Sequence, residues 1–287
     1  DSEIWPGMST ALKNKKIPLI LINARITKKS FKKWLKLRAF SKSIFNKITV
    51  AYPQNKETKK YLKELKVNNI KDVGNLKIIE NTHDKQDNIG NKLNIQFKKY
   101  KTWVAASTHD GEEIFCAKAH IELMKKNKNL ITIIIPRHIH RVQDIISQIQ
   151  NLNLKVVTHS SKIKTLKNVD IYVVDTFGDS QKFFKISNTV LMGKFLVVKG
   201  SQNPLEAVRY GAKILHGPNY NNFKDIFKLL KSLKVSEKIT TIKQLVTAIT
   251  FKKDMRRSFK IKKIGVLILK KTLKELETYI NNEPKKT

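Results

Sequence analysis

The run Gly200-Ser201-Gln202-Asn203-Pro204-Leu205-Glu206 carries the most chemistry for its length. Pro204 suits the opening of a helix, which sets Glu206 in the first turn, where a carboxylate can accept hydrogen bonds from both hydroxyls of a ribose. A glutamate that merely complements the helix dipole would stand in the same place. Gly200-Ser201 lets main-chain amides approach a phosphate or a sugar, and together these features favour a nucleotide. Ser107-Thr108 offers hydroxyls and amides just ahead of another helix, with His109 beside them. That arrangement reads either as an anion site or as a helix cap with Glu112-Glu113 in the first turn. Arg137 emerges at the end of the most hydrophobic strand, where its guanidinium can clamp a phosphate, stack on a base or close a structural salt bridge. His138 and His140 lie two apart in a loop without an evident third ligand, so no metal and no cofactor is assigned.

These residues are positioned by alternating elements. Strands are predicted at Leu19–Ile22 and Val50–Tyr52, each followed by a helical pattern, one with Phe31, Trp34, Leu35 and Phe45 on its apolar side and one with Tyr61, Leu62 and Leu65. From about Glu80 to Asn94 the chain turns polar without periodicity, as linkers do. Beyond it, strands at Thr102–Ala106, Leu130–Ile135, Lys155–Thr158, Asp170–Val174, Thr189–Met192 and Ala212–Leu215 alternate with helices. The pattern predicts an α/β chain with mainly parallel sheets in two domains, residues 1–94 and 95–287. In such sheets ligands sit at the carboxyl ends of the strands, and there the small, polar and charged residues of this chain concentrate.

With 287 residues, 40% of them hydrophobic, the chain can bury sizeable cores. Cys116 is the only cysteine, which excludes an intrachain disulfide and points to a reducing compartment. No apolar stretch reaches the roughly 20 residues that span a bilayer. The formal charge of +35 should attract nucleic acid, an anionic membrane or a phosphorylated substrate. Only seven of the 58 basic residues are arginine, which argues against specific nucleic-acid recognition. Compositional bias towards lysine is the plainer source of the charge.

Taken in order, these motifs resemble the 3-deoxy-manno-octulosonic acid (Kdo) transferases that glycosylate lipid A precursors in Gram-negative bacteria. Ser2-Glu3-Ile4-Trp5-Pro6 and Asn23-Ala24-Arg25-Ile26 with Ser30 match the first part of the family pattern, and Gly74-Asn75-Leu76-Lys77 follows. Ala106–Glu113, Pro136-Arg137-His138, Asp175-Thr176-Phe177-Gly178, Asn203–Glu206 and Gly217-Pro218 with Asn222-Phe223 complete it. The resemblance implies a GT-B architecture of two Rossmann-like domains, the N-terminal one incomplete, and metal-free inverting transfer from CMP-Kdo. It implies donor contacts at Ser107, His109, Arg137, Phe177, Gly178, Asn203 and Glu206, with Glu3 and Arg25 on the acceptor side. A lipid A precursor would be the acceptor, at the cytoplasmic face of the inner membrane. The basic stretch Lys28, Lys29, Lys32, Lys33, Lys36 and Arg38, interleaved with Phe31, Trp34, Leu35 and Leu37, could lie on an anionic leaflet or be a solvated helix face.

The sequence departs from the family in several places. The family's Gly-Glu motif, which carries the general base, is expected upstream of Asp1, so the chain reads as cut at its front. Gly193-Lys194-Phe195 replaces a Gly-Gly-Ser turn, which predicts a bulky ring in the donor loop and less room for main-chain approach. Asp179 stands where glutamate is usual, and Ile139-His140 replaces Pro-Glu. A catalytically dead basic module that binds anionic lipid or nucleic acid is the alternative to an active transferase.

Overall fold

The computed structural model describes residues 4–79, 89–196, 202–220 and 223–280. It divides into two compact units: residues 1–80 with 262–287, and residues 81–261.

In the first unit, α1 (Pro6–Asn14) leads to β1 (Ile20–Ala24), followed by α2 (Lys28–Lys36) and α3 (Arg38–Phe45). β2 (Val50–Pro53) pairs parallel with β1, and α4 (Lys56–Glu64) follows it. Thr27 and Asn55 cap α2 and α4, accepting from the Ser30 and Thr58 amides at 3.2 and 2.8 Å. The apolar sides of these helices close over the strand pair: Phe31 stacks on Tyr61 at 4.1 Å between ring centres, and Trp34 meets Phe45 edge to face at 5.2 Å. The single basic helix read from the sequence is two helices, broken at Leu37, whose φ of −110° and ψ of 54° leave the helical region. Leu37 and Phe40 are exposed there beside the lysines of α2.

The second unit opens with α5 (Asn91–Phe97), a helix within the segment read as a linker; its Phe97 is buried against Tyr172 and Phe183. Then come β3 (Lys101–Thr108), α6 (Glu112–Met124), β4 (Leu130–Pro136), α7 (Val142–Gln150), β5 (Val156–Thr158), β6 (Ile171–Val173), α8 (Ser180–Ile186) and β7 (Thr189–Met192). α9 (Leu205–Arg209), β8 (Lys213–His216), α10 (Lys224–Ser232), β9 (Ser236–Lys238) and α11 (Ile242–Ala248) complete it. Seven parallel strands run in the order β5-β6-β4-β3-β7-β8-β9. β4 is buried along its whole length, as its Leu-Ile-Thr-Ile-Ile-Ile sequence requires of a strand covered on both faces.

The last helix, α12 (Arg256–Ile280), has no counterpart in the sequence reading, and from Lys262 onward it belongs to the first unit. Its contacts explain why residues 262–287 do not group with the second domain as expected. Leu276 and Tyr279 pack beside Val50, Tyr52 and Val73, and Glu275 accepts from Lys71 at 2.5 Å. Gly74 (φ +104°) and Gly265 mark close approaches on that helix: a Cβ on the former would lie 2.9 Å from Ile268, and one on the latter 3.0 Å from the Ile78 carbonyl. Among the described residues no helix is long and apolar enough to cross a membrane.

Candidate functional site

The first strand of the second unit, β3, has β4 on one side and β7 on the other, so the chain's progression across the sheet reverses between β3 and β7. Loops leaving adjacent strands in opposite directions open a crevice at the carboxyl edge, the usual ligand position in open α/β sheets. Ser107 ends β3 in a bulge and takes φ +56°, a left-handed conformation that is costly for a non-glycine residue and frequent at ligand sites. Gly193, at the end of β7, lies directly against it. A Cβ on Gly193 would come within 2.1 Å of the Ser107 carbonyl oxygen, and the Gly193 amide donates to Ala106 O at 2.7 Å.

One buried carboxylate fastens the two loops together. Glu112 Oε2 accepts from the amides of His109 (2.9 Å) and Lys194 (2.8 Å), and Oε1 from that of Leu196 (2.9 Å). Beside it, Glu113 Oε1 accepts from the Thr108 hydroxyl at 2.9 Å and from Arg141 Nη1 at 3.2 Å, while Arg141 Nη2 donates to Asp110 at 2.7 Å. The pair Glu112-Glu113 therefore does more than complement a helix dipole. Sequence reasoning missed this tie, although two adjacent glutamates in the first turn of a helix largely lined with apolar residues were the available signal. Thr108 is buried and its hydroxyl committed, so it is not a free ligand group.

The expected donor residues lie along this one edge. The Arg137 amide donates to Thr108 O at 2.9 Å, which sets the loop after β4 beside the loop after β3. The Arg137 side chain is exposed and meets no carboxylate among the described residues; the structural salt bridge belongs to Arg141 instead. His109 Nδ1 lies 3.1 Å from Ser107 O, and its ring meets that of His138 edge to face at 5.8 Å. Burial, then the neighbouring His109, His140, Arg137 and Arg141, hold His138 below the ordinary imidazole pKa. The Arg137 guanidinium, without a carboxylate partner among the described residues, is thus the cation an anion would meet here.

Phe177 leaves the end of β6 fully exposed, and Gly178 follows with φ +86°. Asp179 is occupied within its own loop, accepting from the Thr176 hydroxyl and pairing with Lys182 Nζ at 2.7 Å. Burial pushes its carboxyl up, yet these two hydrogen bonds hold it below the usual carboxylate range. Asn203 Oδ1 accepts from the Leu205 amide at 3.2 Å at the start of α9. Glu206, half-buried in the first turn of that helix, accepts no hydrogen bond among the described residues. Gly200 and Ser201 lie outside the described residues, as does Glu3; Arg25 follows β1 in the first unit, half-buried.

One expectation is overturned here. Phe195 does not enter the donor loop: it is buried, packs edge to face on Phe115 at 5.1 Å, and rests against Gly217, where a Cβ would lie 2.5 Å from its own. The apolar ring is drawn into the core, and Lys194 takes the left-handed φ of +70° at the position where the family pattern has glycine.

A seven-stranded parallel sheet with this switch-point crevice is a doubly wound α/β unit, and the chain's structural matches place it in the GT-B type of fold. Its fold matches that of a putative UDP-N-acetylglucosamine 2-epimerase from Listeria monocytogenes, with a TM-score of 0.57 at 10% identity over 98% of this chain and 73% of the other. It also matches the C-terminal CMP-Kdo binding domain of WaaA from Acinetobacter baumannii, with a TM-score of 0.51 at 20% identity over 61% of this chain and 91% of that domain. By sequence the chain is similar to Kdo transferases. Residues 1–79 match the family described as 3-deoxy-D-manno-octulosonic-acid transferase (kdotransferase). The Kdo transferase of Haemophilus influenzae is 26% identical over 89% of this chain and 62% of its own length, and that of Rickettsia typhi 30% identical over 79% and 49%. The chain spans less than two thirds of the length of either relative.

Proposed function

We propose that this chain belongs to an inverting Kdo transferase and that its second unit binds the donor, CMP-Kdo. The observation that carries the reading is the carboxyl-edge crevice in which Arg137 and Glu206, neither with a charged partner among the described residues, flank loops tied by Glu112. The guanidinium suits the phosphate of a CMP-sugar, and the carboxylate suits the two hydroxyls of its ribose. Phe177 offers an exposed ring on which a base can stack.

The acceptor in this reading is a lipid A precursor, lipid IVA, met by the first unit with Arg25 and Glu3 at the cytoplasmic face of the inner membrane. Lys28, Lys29, Lys32, Lys33 and Lys36 are exposed on α2 and would give binding to anionic vesicles that weakens steeply with salt.

Titration with CMP tests the donor site. Arg137→Ala and Glu206→Gln should each weaken CMP binding about tenfold or more, the loss of one charge-assisted hydrogen bond. Hydrogen exchange should slow around Arg137 and Glu206 when CMP is added. No response to CMP alongside protection by an unrelated nucleotide would overturn the donor assignment. Tight, salt-sensitive nucleic-acid binding without a CMP response would favour the dead basic module.

A further inference from the structure

The second unit contains a cavity of about 440 Å³ that the donor loops do not enter, within the size range of small-molecule sites. Thr102, at the amino end of β3, lies in its wall, whereas Ser107 at the carboxyl end marks the crevice. Five residues of strand, about 16 Å, separate the two.

Four lysines reach this cavity, Lys98, Lys182, Lys185 and Lys253, and no acidic residue lines it among the described residues. Lys182 is paired with Asp179. Lys253 Nζ donates only to a neutral carbonyl, that of Lys185, at 2.9 Å, and Lys185 Nζ faces the ring of Tyr210 at 5.5 Å. Neither these two nor Lys98 has a carboxylate partner among the described residues. A solvated lysine surface spreads its charges over a convex face; here lysines without a carboxylate partner among the described residues line one concave volume, where an anion would relieve their repulsion. Burial pushes the Lys253 ammonium below the ordinary lysine pKa, as an unpaired, partly desolvated cation requires.

One further feature constrains the ligand. Phe97 and Phe251 supply an apolar surface for its carbon body. The walls are pinned by side chains on carbonyls, Thr102 Oγ1 to Ile186 O at 3.1 Å and Asn188 Nδ2 to Phe251 O at 2.6 Å, so the site is preformed.

We propose that this cavity is a second anion site, taking a small phosphorylated organic molecule, separate from the donor crevice. The phosphate meets Lys98 and Lys253, and the carbon body lies on Phe97 and Phe251. Calorimetric titration of the full chain with glucose 6-phosphate and with inorganic phosphate as probes tests it. Glucose 6-phosphate should bind at one saturable site and slow hydrogen exchange in residues 94–102 and 182–188, and CMP at saturation should not displace it. The double variant Lys98→Glu, Lys253→Glu should weaken binding of both probes about tenfold or more. Arg137→Ala should leave both unchanged. The proposal is overturned by the absence of saturable binding below about 10 mM, by protection confined to the Ser107 and Arg137 loops, or by loss of binding in Arg137→Ala. The exchange measurement on the unaltered protein keeps the test decisive if a variant fails to fold.

Discussion

Glu112 shows how much one side chain can hold in this protein. Its carboxylate satisfies three amides from two loops that are over 80 residues apart in sequence. Glu112→Ala would leave those donors unpaired in a buried place, and should cost about 3 kcal/mol in urea denaturation while weakening CMP binding. Glu112→Gln keeps one oxygen acceptor and should lose less. Gly193 is as constrained for a steric reason, since the space a methyl group needs is taken by the Ser107 carbonyl. Gly193→Ala should therefore displace the Ser107 bulge, lowering stability by about 1–3 kcal/mol and reducing CMP affinity together.

At the scale of elements, α12 matters most in the first unit. Its Gly265 lets the Leu76–Ile79 turn approach closely, and Gly74 on the preceding loop meets Ile268. Each glycine serves helix packing. Gly265→Val should drive that turn off the helix and lower the first unit's unfolding midpoint, by about 1–3 kcal/mol of stability, while CMP binding by the second unit is retained. A CMP titration beside the melting curve checks both halves of that expectation. α2 and α3 make a related point: the break at Leu37 exposes an apolar pair, Leu37 and Phe40, that an unbroken amphipathic helix would have placed differently.

For the molecule as a whole, the formal net charge of +35 comes from 58 lysines and arginines against 23 aspartates and glutamates. The acid side is governed by histidines that folding keeps neutral. His159 and His216 are both held below 6.5 by burial; for His159 the nearby Asp179 and Asp175 oppose this without offsetting it. Below about pH 6.5 the unfolded chain therefore takes up protons that the folded chain refuses. Stability should be full above that pH and fall as pH drops towards the folded-state values. Urea midpoints measured from pH 8 to pH 5.5 should show the decline, and His159→Gln should flatten it.

The order of strands and helices, the parallel sheet and the carboxyl-edge loops were legible in the sequence, because apolar runs and turn residues act over short distances. The separation of Arg137 from Arg141 was not, since which guanidinium meets a carboxylate depends on a partner brought in by α6. The same holds for Phe195, which reads as a loop residue until Phe115 and Gly217 are seen to make a pocket for it. It holds again for α12, whose Leu276 and Tyr279 find Val50, Tyr52 and Val73 only once the first unit has folded. Sequence by itself determined most strands of the parallel sheet and which residue types stand in the loops at their carboxyl ends. Tertiary structure alone decided which of them are spent on holding the loops and which remain unpaired at the crevice, because pairing is a property of distance in space and not of position along the chain.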